Sequence, residues 1–367
     1  MADNLVLGVD IGSTSIKTLL LQKVGKTYVA RDLVIQTIDN IDPESGIYSS
    51  TDENWEPDWD KIASTLSHIV RKNNLRKLRT AFSLQGNFVA PRFFSFPQMP
   101  IENLSNAITF EAQESVPFSI SESLLDWELF PFDLTQDPPK MEGIFVAAHK
   151  GAVDNLYDLG MDVGLEPVIV DVDALAIANA FLEVGDGQLE KNTLLLNIGN
   201  RVTNLIVLTT EGRIFVRDIF GGGADATQAI RDKYQISLEE AEHLKTGGIF
   251  GEPNTQENIL KLMEHQQTLI EDGFYNLIMQ IRDTLRYFIS QRYITMLEEI
   301  HVTGGCAMFP GLIDFLGENL ELPSIGWNPL FDISLQSLPS VRKSSYVETV
   351  GPMFAVAAGL AMRPDVK

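Results

Sequence analysis

The stretch GVDIGSTSIK, residues 8–17, sets Asp10 two residues ahead of a short run of Gly12, Ser13, Thr14 and Ser15, with Lys17 just beyond. A turn of glycine and small hydroxyl residues frees backbone N–H groups and hydroxyls to surround phosphate oxygens, and glycine lets the backbone approach without a Cβ clash. An Asp at the mouth of such a turn suits Mg²⁺, a hard cation that keeps most of its waters. Lys17 offers a point charge toward phosphates and reads equally as an exposed lysine at a strand end. The segment LLLNIGN, residues 194–200, repeats the pattern with Asn197 in place of the Asp, followed by Gly199 and Asn200. In HVTGGCAMFPG, residues 301–311, Gly304 and Gly305 give bare backbone on which a flat purine ring can rest. Gly222 and Gly223, in FGGGADATQAI, open a helix whose first N–H groups favour anions. Glu242 and Lys245 lie three apart on one helical face, a spacing that by itself reads as a surface ion pair.

These residues need strands that deliver turns to one place. Alternating and β-branched runs over 5–10, 16–22 and 27–36, with Gly25 between the last two, predict strands joined by a hairpin. Residues 58–72 predict a helix: Trp59, Ile62, Ala63, Leu66, Ile69 and Val70 form one apolar stripe behind an Asp cap. Strands are expected at 79–84 and 87–95, then a helix over 102–114. Residues 86–150 carry their own hairpin strands, LLDWELFPFDL and GIFVAAHK, around the polar turn TQDPPKME, and read as an insertion. A helix over 151–162, the strand EPVIVDV and a further helix follow. From 192 the pattern restarts, with helices over 223–246 and 256–296, the strand EIHVTGG, a helix opened by Pro310-Gly311, and a last helix over 350–361. Alternation of this kind predicts an α/β protein.

A shift of 187 residues superposes the two halves. Asp10 falls on Asn197, Gly12 on Gly199, Leu19–Leu21 on Ile206–Leu208, and the turn residue Gly25 on Gly212. Short apolar strands resemble one another, but a whole strand, turn, strand and turn unit recurring in register points to a duplicated domain with a cleft between the copies.

Composition narrows the function classes. A chain of 367 residues, 44% hydrophobic, suits two or three folding units. A formal charge of −22 with scattered Lys and Arg speaks against nucleic acid. One cysteine, Cys306, and five dispersed histidines offer no metal-ligand spacing and fit a reducing compartment. The start MADNLVLG has no signal-peptide pattern, no run approaches the roughly 20 apolar residues of a membrane helix, and the C-terminal VAAGLAMRPDVK has no membrane-lying amphipathic face.

In this order the motifs resemble the actin-like ATPase superfamily, which includes actin, Hsp70 chaperones, sugar kinases and FtsA. Within it the chain looks most like PilM, the cytoplasmic actin-like family of type IV pilus assembly. AITFEAQESVPFSISESLLDWELF (107–130), GLEPVIVDVDALAIANAF (164–181), TNLIVLTTEGRIFVRDIFGGGADATQAI (203–230) and SLEEAEHLK (237–245) carry that resemblance. It implies two duplicated RNase H-like domains around a nucleotide cleft with a small inserted α+β subdomain. Residues 1–85 and 163–191, with helix 350–362, would form the first domain, 86–162 the insertion, and 192–349 the second domain with a helical portion near 236–298.

The resemblance further implies ATP and Mg²⁺ as ligands. Asp10, Gly12, Ser13, Thr14, Ser15 and Lys17 would form the first phosphate loop, and Asn197, Gly199 and Asn200 the second. Gly222 and Gly223 would sit near the phosphates, Glu242 and Lys245 near the ribose, and Gly304 and Gly305 under the adenine. Asp173 lies where hydrolysing relatives carry a group that orients the attacking water. Such relatives usually have Asp at position 197; Asn keeps the hydrogen-bonding shape and drops the charge, which implies slow or absent hydrolysis. The implied partner is the N-terminal peptide of a PilN-like inner-membrane protein, seated beside the insertion, where Phe110, Val116, Pro117 and Phe118 either line the groove or form the insertion's core. PilO-like proteins and motor ATPases would be indirect partners, and contact with the membrane would run through the partner alone. A small-molecule kinase, an FtsA-like adaptor and a GspL-like secretion component are the competing readings; the first would require a carboxylate base aligned with a substrate hydroxyl.

Overall fold

The leucine-rich and β-branched runs at the start fold as an antiparallel meander, β1 (Leu5–Ile11), β2 (Ser15–Val24) and β3 (Thr27–Thr37). The turn between the last two is made at Gly25, whose φ of +64° favours glycine. The parallel strands β4 (Arg79–Leu84) and β8 (Glu166–Val172) extend the sheet, giving the order β3-β2-β1-β4-β8. The structure, a computed structural model, describes residues 5–38, 56–132, 138–184, 189–246, 260, 263–291, 294, 296–338 and 345–363.

A second sheet repeats the plan. The strands β9 (Thr193–Ile198), β10 (Val202–Leu208) and β11 (Ile214–Phe220) form the meander, and β12 (Glu299–Thr303) and β13 (Ser324–Gly326) add in parallel. Its order, β11-β10-β9-β12-β13, is the same topology over again. The repeat seen in the sequence holds down to register: Asp10 pairs with Lys17 across β1 and β2, and Asn197 with Asn204 across β9 and β10. Between β4 and β8 the chain builds a third sheet of β5 (Val89–Pro97), β6 (Ser123–Leu129) and β7 (Lys140–His149) in the order β5-β7-β6. Helix α2 (Ile101–Ser115) closes its small core, with Leu104, Ile108 and Ala112 buried against Phe94 and Phe145.

Helix α1 (Trp59–Lys72) starts where its acid cap predicts, since Asp58 accepts from the Lys61 N–H at 3.1 Å. Its Ile62, Leu66, Ile69 and Val70 are buried. Helices α3 (Lys150–Asp162) and α4 (Asp173–Val184) flank β8. The expected helix over 223–246 is two helices, α5 (Gly223–Tyr234) and α6 (Leu238–Thr246). They part at Gln235, which takes a left-handed φ of +55°, and Ser237 and Glu240 then cap the second by reciprocal hydrogen bonds. The helix expected over 256–296 is seen as α7 (Gln266–Ser290), and 256–259, 261, 262, 292, 293 and 295 lie outside the described residues. Part of the TQDPPKME turn, 135–137, lies outside them too. The short α8 (Leu312–Leu320) follows Gly311.

At the C-terminus α9 (Ser345–Val350) leads through a 3-10 turn to α10 (Ala355–Met362), every residue of which is buried. Small residues let this helix press between sheet and helix: a Cβ on Gly8 would stand 2.1 Å from Ala357 O, and one on Gly359 only 1.7 Å from Ala176 O. The chain's end thereby locks β1 to α4, and with them the strand that carries Asp10 to the helix that begins at Asp173. No helix among the described residues is long and apolar enough to cross a membrane.

Candidate functional site: a cleft between two equivalent loops

The β1–β2 and β9–β10 turns face each other. In the first, the Gly12 N–H donates to Ser15 O at 3.0 Å; in the second, the Gly199 N–H donates to Val202 O at 3.1 Å. These are the same bond in the two copies, each partner displaced by the 187-residue repeat. Asn200 Nδ2 donates to Ser13 Oγ at 3.4 Å, joining two positions that the repeat makes equivalent. Between the loops lies a cavity of about 230 Å³, lined among others by Asp10, Gly12, Ser13, Thr14, Lys17, Asp173, Asn197, Gly199, Asn200, Gly304 and Gly305. Of these, Gly305 has the open face, for a Cβ there would meet only Met353 Cε, at 3.7 Å. Ser15, the remaining member of the first loop, is buried and faces away.

The two copies differ in what stands behind each loop. Behind the first, Lys17 Nζ lies 3.2 Å from Asp10 Oδ2, and it sits so close over Gly12 that a Cβ there would be 2.7 Å from the ammonium. Lys17 is therefore inside the cleft and largely buried, compensating Asp10. Behind the second, Asn197 Nδ2 donates to Asn204 Oδ1 at 2.7 Å, an uncharged pair in the same place.

Asp173 heads α4 and is almost wholly buried. Burial, reinforced by the negative charge of Asp10, holds its carboxyl well above the usual carboxylate range. A carboxyl that binds its proton more tightly when folded contributes stability that is fully present below its ordinary value of 3.8 and is lost as pH rises through the folded value. Asp173→Asn removes that loss: the ligand-free variant is expected to match wild type near pH 4 and to melt higher than wild type at pH 8. Thermal denaturation across that range checks it, and a variant melting lower at pH 8 would refute the buried-acid account.

Four positions expected to face the ligand are turned to the protein instead. The N–H groups of Gly222 and Gly223 donate to Asp225 Oδ2 (3.0 Å) and Gly199 O (2.9 Å), and that of Ala224 to Asn200 O (2.8 Å). The start of α5 is thus welded to the second loop, and a Cβ on Gly222 would stand 2.4 Å from Gly199 O. Lys245 Nζ binds Glu242 (2.7 Å), Thr227 Oγ1 (2.8 Å) and Gly223 O (3.0 Å), while Glu242 accepts from Thr227 at 2.6 Å. Glu242 and Lys245 brace α6 against α5 and do not line the cavity. Cys306 Sγ, donating to Gly199 O at 3.3 Å, ties the glycine pair to the same loop; burial pushes its thiol up to about 11.

Sequence reasoning missed Arg201, a buried residue lining the cavity beside Asn200. Its signal was in the repeat, which sets Arg201 on Thr14 and so puts a positive charge where the first loop has a hydroxyl. It also missed Asp218, which lies behind Asn204.

The family model for type IV pilus assembly protein PilM matches residues 8–365. The chain belongs to the PilM family. A solved PilM–PilN type IV pilus biogenesis complex aligns over 97% of this chain and 97% of that one, with a TM-score of 0.75 at 22% identity. The ethanolamine utilization protein EutJ of Carboxydothermus hydrogenoformans aligns over 98% of this chain and 89% of its own, with a TM-score of 0.51 at 13% identity. A diol dehydratase-reactivating factor in nucleotide-free form reaches 0.50 at 9% identity, over 97% and 99%. The fold is the actin-like ATPase fold, as the duplicated sheets require.

In this PilM-family chain the four partner-contact candidates divide. Phe110 on α2 is 67% exposed, and Pro117 is also exposed. Val116 packs against the third sheet's core, and Phe118 sets its edge against His149 at 6.1 Å. Beyond them Leu124 on β6, Tyr157 and Met161 on α3 and Val168 on β8 are exposed large hydrophobics, and β6 and β8 are edge strands of the third and first sheets. Arg363 ties that region down, donating through Nη2 to Asp171 Oδ1 at 2.8 Å, and Glu128 and Asp126 of β6 add to the charge that holds it protonated.

Proposed function

We propose that this PilM-family protein is a cytoplasmic, ATP-binding adaptor of type IV pilus assembly that engages the N-terminal peptide of a PilN-like inner-membrane protein, with slow or absent hydrolysis. The observation that carries the nucleotide reading is the pair of identically bonded loops facing one cavity, with a carboxylate on one side and a glycine pair on the floor. Asp10 and Asn197 both offer acceptors, which suits a hydrated Mg²⁺ held through its waters. Ser13, Thr14, Asn200 and Arg201 supply donors for phosphate oxygens, and Gly305 leaves room for a ring. Asp173 is buried, with its pKa raised by burial and by the nearby Asp10 charge, a setting that suits a clamp better than a motor. ATP bridging both loops would stabilise the closed arrangement by its differential affinity for that state.

Residues 86–162 form the partner-binding unit in this reading. The edges of β6 and β8, with Leu124, Tyr157, Met161 and Val168 beside them, suit an extended peptide that adds main-chain hydrogen bonds and seats alternate side chains. Phe110 and Pro117 extend that surface, and Val116 and Phe118 support it. PilO-like proteins and motor ATPases are reached through this partner, and the membrane only through it.

Titration of the PilN-like N-terminal peptide into the protein with Mg-ATP tests the reading. Tight, sequence-dependent binding is expected, weakened at least about tenfold by Val168→Asp, which sets a charge in an apolar contact. ATP binding without any peptide binding would favour the competing small-molecule kinase reading over the adaptor.

A further inference from the structure

Three side chains lie in a row across the second sheet, one on each strand of its meander. Asn197 pairs with Asn204, and Asn204 with Asp218. Asn197 Nδ2 donates to Asn204 Oδ1 (2.7 Å), Asn204 Nδ2 donates to Asp218 Oδ1 (2.8 Å), and the Gly86 N–H donates to Asp218 Oδ2 (2.6 Å). Asn204 is wholly buried.

An amide side chain can present either end, and only its neighbours decide which. A carboxylate accepting from two N–H groups has no donor, so Asn204 must turn its NH₂ toward Asp218. Asn204 then shows its oxygen to Asn197, which must answer with its own NH₂. The Asn197 oxygen is left as the end not held by the row, and Asn197 lines the cavity. We propose that Asp218 is a positioning residue that, through Asn204, fixes Asn197 with its acceptor oxygen toward the cleft and so selects a hydrated divalent cation at the second loop. This rests on the reading of the cleft as a nucleotide site. It explains how an uncharged residue still serves the cation side of the ligand: polarity replaces charge. Burial of Asp218 raises its pKa, and the Gly86 and Asn204 donors oppose that shift.

The row can be inverted without losing a hydrogen bond. In Asp218→Asn the new amide accepts from Gly86 with its oxygen and turns its NH₂ to Asn204. Both asparagines must then flip, and Asn197 points a donor into the cleft. Adding Asn204→Asp moves the carboxylate one strand inward, so that position 204 accepts from both neighbours and the oxygen of Asn197 faces the cleft again.

The test has two readouts on wild type, Asp218→Asn and Asn204→Asp/Asp218→Asn. Without ligand, selective labelling of asparagine side chains reports proton exchange of the Asn197 NH₂. Slow exchange is expected in wild type and the double variant, and exchange at least about tenfold faster in Asp218→Asn, whose melting temperature should stay near wild type. Titration of ATP with Mg²⁺ or with EDTA gives the second readout. The gain in affinity from Mg²⁺ is expected to fall at least about tenfold in Asp218→Asn, to persist in the double variant, and affinity in EDTA to stay the same. Unchanged exchange and an unchanged Mg²⁺ gain in Asp218→Asn would overturn the inference. Expected exchange with no ATP binding by wild type would uphold the positioning and refute the nucleotide reading.

Discussion

Gly304→Val is expected to abolish the proposed ATP binding and to lower the melting temperature, whereas Gly305→Val is expected to abolish binding with the melting temperature kept. The two glycines look interchangeable in the sequence, as bare backbone under a ring, but their surroundings differ. Gly304 takes a φ of +89°, and a Cβ there would stand 2.5 Å from Asn197 Oδ1, 2.6 Å from Ile198 O and 2.8 Å from Ile198 N. Left-handed backbone costs an L side chain roughly 1–2 kcal/mol, and overpacking against backbone typically adds about 1–3 kcal/mol. A β-branched residue at 304 would therefore push β12 off β9 and displace Asn197, so its loss of binding is partly a loss of structure. Gly305 meets only the flexible end of Met353, so a side chain there enters the cavity and competes with the ligand. Calorimetric titration with Mg-ATP beside thermal denaturation separates the two. Wild-type affinity in a folded Gly305→Val protein would show that no ring rests on this pair.

The loops were legible because each is written locally. The bond that closes each turn is local, from Gly12 to Ser15 and from Gly199 to Val202, and duplication writes the signal twice. Secondary structure followed where periodicity was strong, as in α1 and its Asp58 cap. It failed where a break depends on one residue's backbone: Gln235 has nothing in its side chain that demands φ +55°, so α5 and α6 read as one helix. The α5 glycines were misread for a different reason. Glycines before a helix signal close approach, yet what approaches Gly222 is the carbonyl of Gly199. Sequence gives the need for space and not the identity of the neighbour. Glu242 and Lys245 likewise kept the spacing of an ion pair and are one, spent on Thr227 and Gly223.

The contact between the cleft and the third sheet was not legible at all. Asp218 meets the Gly86 N–H across 132 residues of chain, at the turn where the strand of the first sheet passes into the inserted one. Next to it Phe215 of β11 packs on Phe93 of β5 with ring centres 5.2 Å apart, and Arg213 pairs with Glu142 at 3.1 Å. The third sheet thus leans on the strand that closes the asparagine row. In the reading proposed above, a ligand that orders the second loop would act on the strand against which the third sheet is packed, and this contact is the physical path by which nucleotide would tune peptide affinity.

In the nucleotide reading, Asn197→Asp is expected to raise ATP hydrolysis only when Asp218→Asn accompanies it. Restoring the carboxylate that hydrolysing actin-like ATPases carry at this position looks sufficient from sequence, yet Asn204 has one NH₂ and one oxygen to share between two neighbours. With carboxylates at both 197 and 218, one of them must face the Asn204 oxygen. The single variant is therefore expected to lose stability and to gain no turnover. In the double variant the amide at 218 donates to the Asn204 oxygen, Asn204 turns its NH₂ to the carboxylate at 197, and Gly86 keeps its acceptor. Every donor is matched and the number of acidic groups is unchanged. The carboxylate then stands in the cleft with its charge intact, able to hold the cation's water shell and to polarise an attacking water, a role typically worth about 10²-fold or more. Phosphate release from ATP under single-turnover conditions should rise at least about tenfold over wild type. A double variant that binds Mg-ATP but hydrolyses no faster would show that the charge at position 197 does not limit turnover, and would point next to Asp173, whose carboxyl burial holds above its ordinary pKa.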